Sequence, residues 1–329
     1  MREPGLQDRY SRRINYLRVS ITDRCNLRCT YCMPAQGLDL LSHEDILSYE
    51  EILRVSRVAI GLGIEKIRIT GGEPLVRRGV VDFIARVGAL PGLKDLSLTT
   101  NGLLLADMAE ELRRAGLRRV NVSLDTLDPT RFQAVARRPG LEQVLRGLQA
   151  AKECGLTPVK VNVVAMRGTN DDEIEHFAEF ARENGFEVRF IEFMPARPDE
   201  WDAARFLTAA EVLEALRRRY DLVPFEGGAA SGPSRTFLLP GGGRVGVISP
   251  LSEHFCGRCN RLRLTAEGRL RSCLFSERET DLRSILRRSA DEAELSRAIL
   301  DAVHHKPEGH RLGEEERHKC GLAMSRVGG

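Results

Sequence analysis

The sequence predicts an α/β fold, an incomplete (β/α)6 barrel of the TIM type followed by a C-terminal extension. Three observations predict it: strand-like runs alternate with helical stretches, one face of the strands is polar, and the composition changes after Phe225. Strands that alternate with helices are typical of βα units, whose right-handed crossovers produce a parallel sheet. Six such units are too few for a closed TIM barrel.

The strands are predicted from short runs of β-branched and aliphatic residues. They lie at residues 17–21, 66–70, 95–99, 119–123, 159–164 and 187–192. Helices fill the gaps, and two of them start at capping boxes, formed by Ser48 with Glu51 and by Thr208 with Glu211. The other helices of the barrel are predicted at residues 80–89, 106–115, 141–154 and 171–184.

One face of the first five strands is apolar and the other is polar, because successive side chains of a strand point to opposite sides of the sheet. A parallel sheet that is covered by helices on both faces has two apolar faces. A curved sheet with helices outside and a polar lumen inside explains the pattern better than a flat sheet open to water. The polar face carries Arg18, Ser20, Arg68, Thr70, Ser97, Thr99, Asn121, Ser123, Lys160 and Asn162.

Three of these inward positions are cations, namely Arg18, Arg68 and Lys160. A buried cation needs an anionic partner, because an unpaired buried charge is costly. For any one of the three, this partner can be a carboxylate of the protein itself. As a set directed into one lumen, the three cations predict a site for a phosphate or a carboxylate.

Glycine and proline residues punctuate the chain after Phe225. A hairpin is predicted from strand-like runs at residues 236–239 and 244–248, and a polar helix near residues 291–304. We therefore divide the chain into a barrel of residues 1–225 and an extension of residues 226–329.

The composition excludes some functions. Charged residues make up 29% of the 329 residues and apolar ones 42%, and there is no long apolar run, so we expect a soluble, cytoplasmic protein and no membrane partner. The net charge of +3 is too small to indicate a nucleic-acid partner by itself.

Two cysteine triplets predict metal or redox chemistry. The first, Cys25, Cys29 and Cys32, has the spacing C-x3-C-x2-C, and its three thiols leave one ligand position open. A structural zinc site needs four ligands, and this triplet supplies three. A disulfide framework is not expected, because the first segment is rich in charge and does not resemble a signal peptide. For the second triplet, Cys256, Cys259 and Cys273, spacing alone leaves a zinc ribbon open, with His254 or Cys320 as the fourth ligand. Cys154 is interpreted as a small, half-buried residue.

The first triplet, with Tyr31 before its last cysteine, resembles the radical S-adenosylmethionine (SAM) superfamily. The loop Gly71-Gly72-Glu73-Pro74 resembles the element of that superfamily that meets the methionyl amino group of SAM. The second triplet continues as Cys-Asn-Arg-x-Arg-Leu-Thr, and the sequence ends in Gly328-Gly329. From about residue 16 to its end, the chain is similar to the GTP 3′,8-cyclase family of molybdenum cofactor biosynthesis.

This resemblance implies the cofactors and the site. Each triplet is expected to hold a [4Fe–4S] cluster with one open iron, the first binding SAM and the second facing the guanine of GTP. The residues implied to contact SAM are Tyr31, Gly72, Ser123 and Met194. The residues implied to contact GTP are Arg18, Arg68, Thr99, Lys160, Arg261 and Arg263. Arg261, Arg263, Gly328 and Gly329 are implied as catalytic residues.

The resemblance also implies a reaction. A radical derived from SAM takes the hydrogen from C3′ of GTP, and the ribose carbon then bonds to C8 of guanine. The implied partners are GTP, an electron donor and a downstream cyclic pyranopterin monophosphate synthase, and the protein is expected to be a monomer or homodimer. The alternatives are a peptide-modifying radical SAM enzyme with an auxiliary cluster, and a zinc-binding nucleic-acid module.

Overall fold

The computed structural model describes residues 5–195, 201–226, 232–288, 290–310 and 324–328. Among them, six strands alternate with helices as the sequence predicts, each within one residue of its predicted position at either end. These strands are β1 (Tyr16–Ser20), β2 (Lys66–Thr70), β3 (Asp95–Thr100), β4 (Arg119–Ser123), β5 (Lys160–Ala165) and β6 (Glu187–Glu192). They pair in parallel in chain order.

The strands of the extension lengthen this sheet at both edges. They are β7 (Val223–Phe225), β8 (Arg235–Leu238), β9 (Arg244–Ile248), β10 (Arg261–Leu264), β11 (Arg269–Arg271) and β12 (Thr280–Asp281). Strand β9 pairs in parallel with β6, and β10 pairs in parallel with β1. In the described part of the chain the strand order is β12-β11-β10-β1-β2-β3-β4-β5-β6-β9-β8-β7, an open sheet, and the incomplete barrel is confirmed.

The helices are α1 (Tyr49–Gly61), α2 (Val80–Gly88), α3 (Leu105–Arg114), α4 (Pro129–Ala136), α5 (Leu141–Glu153), α6 (Ile174–Asn184), α7 (Ala209–Arg217), α8 (Leu282–Arg288), α9 (Glu292–His304) and α10 (Met324–Val327). Both predicted capping boxes are present. Ser48 Oγ accepts from the backbone N–H of Glu51 at 3.1 Å, and the Glu51 carboxylate accepts from the Ser48 N–H at 2.7 Å. Thr208 and Glu211 repeat this arrangement at α7.

The core lies between the helices and the apolar face of the sheet. Leu17, Val19, Ile67 and Ile69 are fully buried there, as the alternation predicts. At about 25 cal/mol for each Å² of apolar surface removed from water, this continuous layer is the main stabilising contribution of the fold. No described helix has the length and apolar composition needed to cross a membrane.

Several elements were not predicted, namely α4, β7, β10 to β12, α8 and α10. Helix α4 starts at Asp128, whose carboxylate accepts from the Arg131 N–H at 2.7 Å, with Pro129 in the first turn. Strands β10 to β12 and helix α8 were also missed, because β10 is ordered by pairing with the distant β1. The division of the chain at residue 225 remains a prediction.

Candidate active site

Two adjoining cavities lie against the polar face of the sheet. The first cavity has an empty volume of about 1120 Å³, and the thiols of the first triplet are part of its wall. The second cavity measures about 1080 Å³, and the second triplet is part of its wall. Both cavities are lined by Asn162, Ile191, Met194 and Met324, so the two triplets face one continuous lumen.

The loop of the first triplet is held by its own neighbourhood. The backbone N–H of Arg28 donates to the Ala136 carbonyl at 3.1 Å, and that of Thr30 donates to the Val135 carbonyl at 2.9 Å. The loop is therefore fixed against the end of α4. The Cys32 N–H donates to the Cys29 carbonyl at 2.9 Å, which closes the turn between these two thiols.

The glycines of the Gly-Gly-Glu-Pro loop allow this loop to approach the cysteine loop closely. The Gly72 N–H donates to the Thr22 carbonyl at 2.8 Å, and a Cβ added at Gly72 would lie 2.3 Å from the Arg24 carbonyl oxygen. Gly71 has a φ of +149° and also packs on the Thr22 backbone. The absence of side chains at both positions thus serves the contact between two loops.

The first triplet lies in a low-dielectric, acidic environment. Burial raises the pKa of Cys25, and burial followed by Asp125 and the neighbouring thiols raises the pKa of Cys29 well above its usual value. Burial also raises the pKa of Glu73 to about 7 and that of Asp125 to about 6. The three thiols are half-buried, and Cys25 and Cys32 oppose the ionisation of Cys29, so a cationic centre is needed for them to become thiolates. A [4Fe–4S] cluster, which is held by cysteine thiolates, fits this donor set.

Tyr31 and Asp125 form a buried pair beside the first triplet. The Tyr31 hydroxyl donates to Asp125 Oδ2 at 2.7 Å, and Asp125 Oδ1 accepts from the Val164 N–H at 2.9 Å. Both side chains line the first cavity, together with Gly72, Thr99 and Ser123. The predicted SAM contacts are therefore assembled around the first triplet, and the predicted GTP contact Thr99 lies in this cavity too.

The second triplet is assembled from separate stretches of chain. Cys256 and Cys259 flank a single 3-10 turn, closed by the Cys259 N–H donating to the Cys256 carbonyl at 3.0 Å, and Cys273 follows β11. Burial raises the pKa of the Cys259 thiol, but the charges of Arg261 and Lys306 outweigh burial and bring this pKa down to about 6. Burial, together with the charges of Cys273 and Cys259, raises the pKa of Cys256, so the positive surroundings favour the thiolate at Cys259 in particular.

Two cations distant in sequence hold this second cysteine loop, and we call Arg12 and Lys306 the clasp. The Arg12 guanidinium donates to the carbonyl oxygens of Cys256 at 2.8 Å, Glu308 at 2.7 Å and Pro307 at 2.6 Å. The Lys306 ammonium donates to the Arg261 carbonyl at 3.0 Å and to the Ser272 carbonyl. The clasp ties the loop to both ends of the described chain.

The structure supports only part of the alternative in which the second triplet belongs to a zinc site. In the ranges that the structure describes, one group of three metal-ligating side chains converges within 4.8 Å, and it consists of His254, Cys256 and His310. This group contains a single member of the second triplet. His310 Nε2 lies 2.7 Å from the Pro250 carbonyl and 2.9 Å from His254 Nδ1, whereas His310 Nδ1 is buried and has no hydrogen-bond partner among the described residues. Cys320 lies outside the described residues.

The predicted cations line the second cavity, with one exception. Arg18, Arg68, Arg261 and Arg263 are all part of its wall. Burial, and then the charge of Arg263, lowers the pKa of Arg18 well below its usual value. Lys160 instead lies beside Glu187, with Nζ 3.1 Å from the carboxylate. Lys160 therefore has the internal partner that the sequence analysis left open for any one cation.

Several buried polar atoms on this face have no hydrogen-bond partner among the described residues. They are the Tyr16 hydroxyl, Arg18 Nε, Thr99 Oγ1, Asn121 Oδ1 and Asn162 Oδ1. Buried polar atoms are normally paired, because an unmade hydrogen bond costs about 1–3 kcal/mol. A polar ligand in the lumen supplies the missing partners, and a cationic wall selects an anionic one.

The end of the described chain reaches this lumen. The Gly328 carbonyl accepts from Arg263 Nη1 at 2.6 Å. Gly328 has a φ of +77°, and a Cβ added there would lie 2.2 Å from the Thr70 methyl group, so glycine is required at this position. Gly329 lies outside the described residues.

Sequence reasoning missed Arg189. This side chain lines the second cavity and pairs with Glu187, which also accepts from Lys160. The signal was present, because Arg189 continues the polar alternation into β6 beyond the five strands considered. Phe255 was also missed; its ring lies under the Arg261 guanidinium, with 4.9 Å from Arg261 Cζ to the ring centroid.

Comparisons with known proteins agree with this geometry. The family model of the radical SAM superfamily matches residues 19–181, and that of Molybdenum Cofactor Synthesis C matches residues 186–312. The GTP 3′,8-cyclases of Moorella thermoacetica and Geobacter sulfurreducens are 50% and 49% identical to the chain. Each alignment covers 98% of the chain, with 100% of the first relative and 99% of the second.

Solved structures share the fold at low identity. Streptococcus suis SuiB bound to its precursor peptide SuiA has a TM-score of 0.53 and 18% identity, covering 61% of this chain and 45% of that one. Methylornithine synthase has a TM-score of 0.50 and 18% identity, covering 62% of each chain. The full-length relatives and the family models show that the chain belongs to the GTP 3′,8-cyclase family of radical SAM enzymes.

Proposed function

We propose that the chain converts GTP to (8S)-3′,8-cyclo-7,8-dihydroguanosine 5′-triphosphate, the first step of molybdenum cofactor biosynthesis. The observation that carries this proposal is the continuous lumen between the two triplets. Its first cavity is lined by three half-buried thiols, and its second by three further thiols and a wall of arginines. The names of the full-length relatives support the same activity.

The first triplet would hold the [4Fe–4S] cluster that the superfamily implies, with SAM beside it. When bound, the cluster and SAM supply a radical that removes hydrogen from the substrate. The chain's residues bind and orient: Tyr31 is fixed by Asp125, and Ser123 and Met194 contribute to the same wall.

A second [4Fe–4S] cluster is proposed at Cys256, Cys259 and Cys273. The positive surroundings of Cys259 support it, since they favour the thiolate that ligates iron. We propose that Arg18, Arg68, Arg261 and Arg263 bind GTP as fixed cations, with Thr99 and Lys160 as further contacts. Arginine suits this role because its planar guanidinium binds phosphate with two hydrogen bonds.

Gly328 and Gly329 are proposed to complete the site from the end of the chain. The contact between the Gly328 carbonyl and Arg263 supports this, because it fixes the direction of a guanidinium that lines the second cavity. An electron donor, the downstream synthase, a monomeric or homodimeric state and a cytoplasmic location are further parts of the proposal that follow from the family alone.

The test is anaerobic reconstitution with iron and sulfide, followed by incubation with GTP, SAM and a reductant. We expect 5′-deoxyadenosine and the cyclised nucleotide to form, and both to depend on GTP. Cys154→Ala is the matched control, because this half-buried cysteine lies at the end of α5 and outside both cavities. Full iron content with no GTP-dependent 5′-deoxyadenosine would refute the proposed activity.

A further inference from the structure

Lys306 is a fully buried cation beside the second triplet, with 2% of its surface exposed. Its ammonium donates to the carbonyl oxygens of Arg261, on β10, and of Ser272, the residue before Cys273. An ammonium has three donors, so one remains beyond these two contacts.

The charge of Lys306 has no carboxylate partner in the described part of the chain. The other member of the clasp differs in this respect, because Arg12 Nε lies 2.6 Å from Asp8 Oδ2 and this pair is buried together. Placing a lone cation in a protein interior costs several kcal/mol in lost hydration. The charge of Arg12 is thus compensated within the fold, and that of Lys306 needs an anion from elsewhere.

The ammonium lies beside the second triplet, because it donates to the carbonyl of Ser272, the residue before Cys273, so thiolates of this triplet can supply the anion. Burial lowers the pKa of Lys306, whereas the charges of Cys259 and Cys273 raise it, and Arg261 and Arg12 oppose the cation. Hydrogen bonds to the two carbonyls require only N–H donors, which a neutral amide also provides. Hydrogen bonding alone therefore does not explain a positive charge close to Arg12 and Arg261. A negatively charged group bound by the thiols explains it.

We propose that Lys306 is the counter-cation of the second triplet and that it sets the reduction potential of the iron–sulfur cluster bound there. This inference rests on the proposed second cluster. A [4Fe–4S] core with three thiolates carries net negative charge, and reduction adds one more. A fixed cation beside the cluster favours the reduced state and raises its potential, so Lys306 is a positioning residue that acts through the cluster.

The experiment uses the full-length chain with Cys25, Cys29 and Cys32 replaced by alanine, so that only the second triplet can hold a cluster. After anaerobic reconstitution, the midpoint potential is measured by redox titration followed by electron paramagnetic resonance. Lys306→Met removes donor and charge, Lys306→Gln keeps donors without charge, and Lys306→Arg keeps the charge. Arg258→Gln removes an exposed charge between two cysteines and is the matched control.

We expect Lys306→Met and Lys306→Gln to lower the reduction equilibrium constant by about tenfold or more, which is about 59 mV for a one-electron couple. Lys306→Arg should stay within about threefold of the parent, and Arg258→Gln should not differ from it, since an exposed charge is screened. Loss of the cluster in the neutral variants with retention in Lys306→Arg also supports the proposal.

An unchanged potential in Lys306→Gln, with full iron content, overturns the role of Lys306 and leaves the proposed function standing. Loss of the cluster in all three Lys306 variants also overturns it, because charge is then not what the site requires. If the parent chain takes up no cluster at the second triplet, the inference and the proposed second cluster fail together. Thermal unfolding of each variant shows whether Lys306→Met is folded, and Lys306→Gln decides the question if it is not.

Discussion

The two cysteine triplets are built in different ways. The first lies on one short loop, and its backbone is fixed by hydrogen bonds to the end of α4 and to the Gly-Gly-Glu-Pro loop. The second depends on a turn at Cys256, a separate strand connection at Cys273 and the clasp from two distant parts of the chain. The first site is therefore a local structure, and the second forms only when the whole sheet is assembled.

The largest expected effect separates the two triplets by reaction step. Cys29→Ala should abolish 5′-deoxyadenosine formation, because the cluster site loses a ligand next to SAM. Cys273→Ala should abolish the cyclised nucleotide and halve the iron content, and keep the first cluster. Iron analysis and product chromatography measure both. Loss of more than half of the iron in either variant would show that the sites are not independent.

The next effect tests the dependence of the second triplet on the clasp. Arg12→Ala leaves the buried Asp8 carboxylate unpaired, and breaking a buried ion pair costs about 3–5 kcal/mol. We expect lower thermal stability and iron loss from the second site only. Arg13→Ala is the control, because Arg13 pairs with Glu65 at 2.9 Å with 58% of its side chain exposed, and such pairs contribute about 1 kcal/mol or less.

A smaller effect is expected where the chain end meets the lumen. Gly328→Ala places a Cβ against the Thr70 methyl group and disfavours a φ of +77°. A strain of about 1–2 kcal/mol corresponds to a roughly tenfold loss of cyclised product. Both clusters should keep their absorbance. Gly61→Ala, at a position with open space and no positive φ, is the control and should retain the wild-type rate.

The smallest effect concerns a part of the barrel remote from both triplets. Thr208→Ala removes the cap of α7 and should cost about 1 kcal/mol. The Thr208 backbone N–H and the Arg167 guanidinium are the main causes that lower the pKa of Glu211 to about 2. A lowered folded-state pKa gives stability that is present above the unfolded value of 4.5 and is lost as pH falls toward 2.

Urea unfolding of the wild type and of Thr208→Ala between pH 5 and about 2.5 measures this loss. Because Glu211 is largely exposed, solvent screening should keep the pH-dependent part below about 1 kcal/mol. A change in the iron content of either site in this variant would contradict the separation between barrel stability and the two triplets.

Much of the barrel was predictable because its signals are local. Strand periodicity placed the strands, and Ser48 and Thr208 placed two helix starts. The pairing of β10 with β1 was not predictable, since sheet neighbours that are far apart in sequence leave no periodic signal. The partner of Lys160 was hidden for the same reason: Lys160 lies opposite Glu187 only in the register between β5 and β6.

The site residues also divide into local motifs, which the sequence reveals, and contacts that only the fold creates. The first triplet and its glycine loop are short motifs and could be read directly. The role of the clasp could not, because Arg12 and Lys306 acquire their contacts only through the folded extension. A buried lysine that donates to two carbonyls looks like any other lysine in a sequence.

The parallel pairing of β10 with β1 has a consequence for synthesis of the protein. The side-chain amide of Asn260 bonds to that of Asn15 across 245 residues, next to this pair of strands. As the chain leaves the ribosome, the thiols of the first triplet are complete once Cys32 has been made. The outer edge of β1 can pair only after β10 has been made. The second triplet is complete only after Cys273 and Lys306 have been made. The ligands of the first site are therefore present in the growing chain long before those of the second.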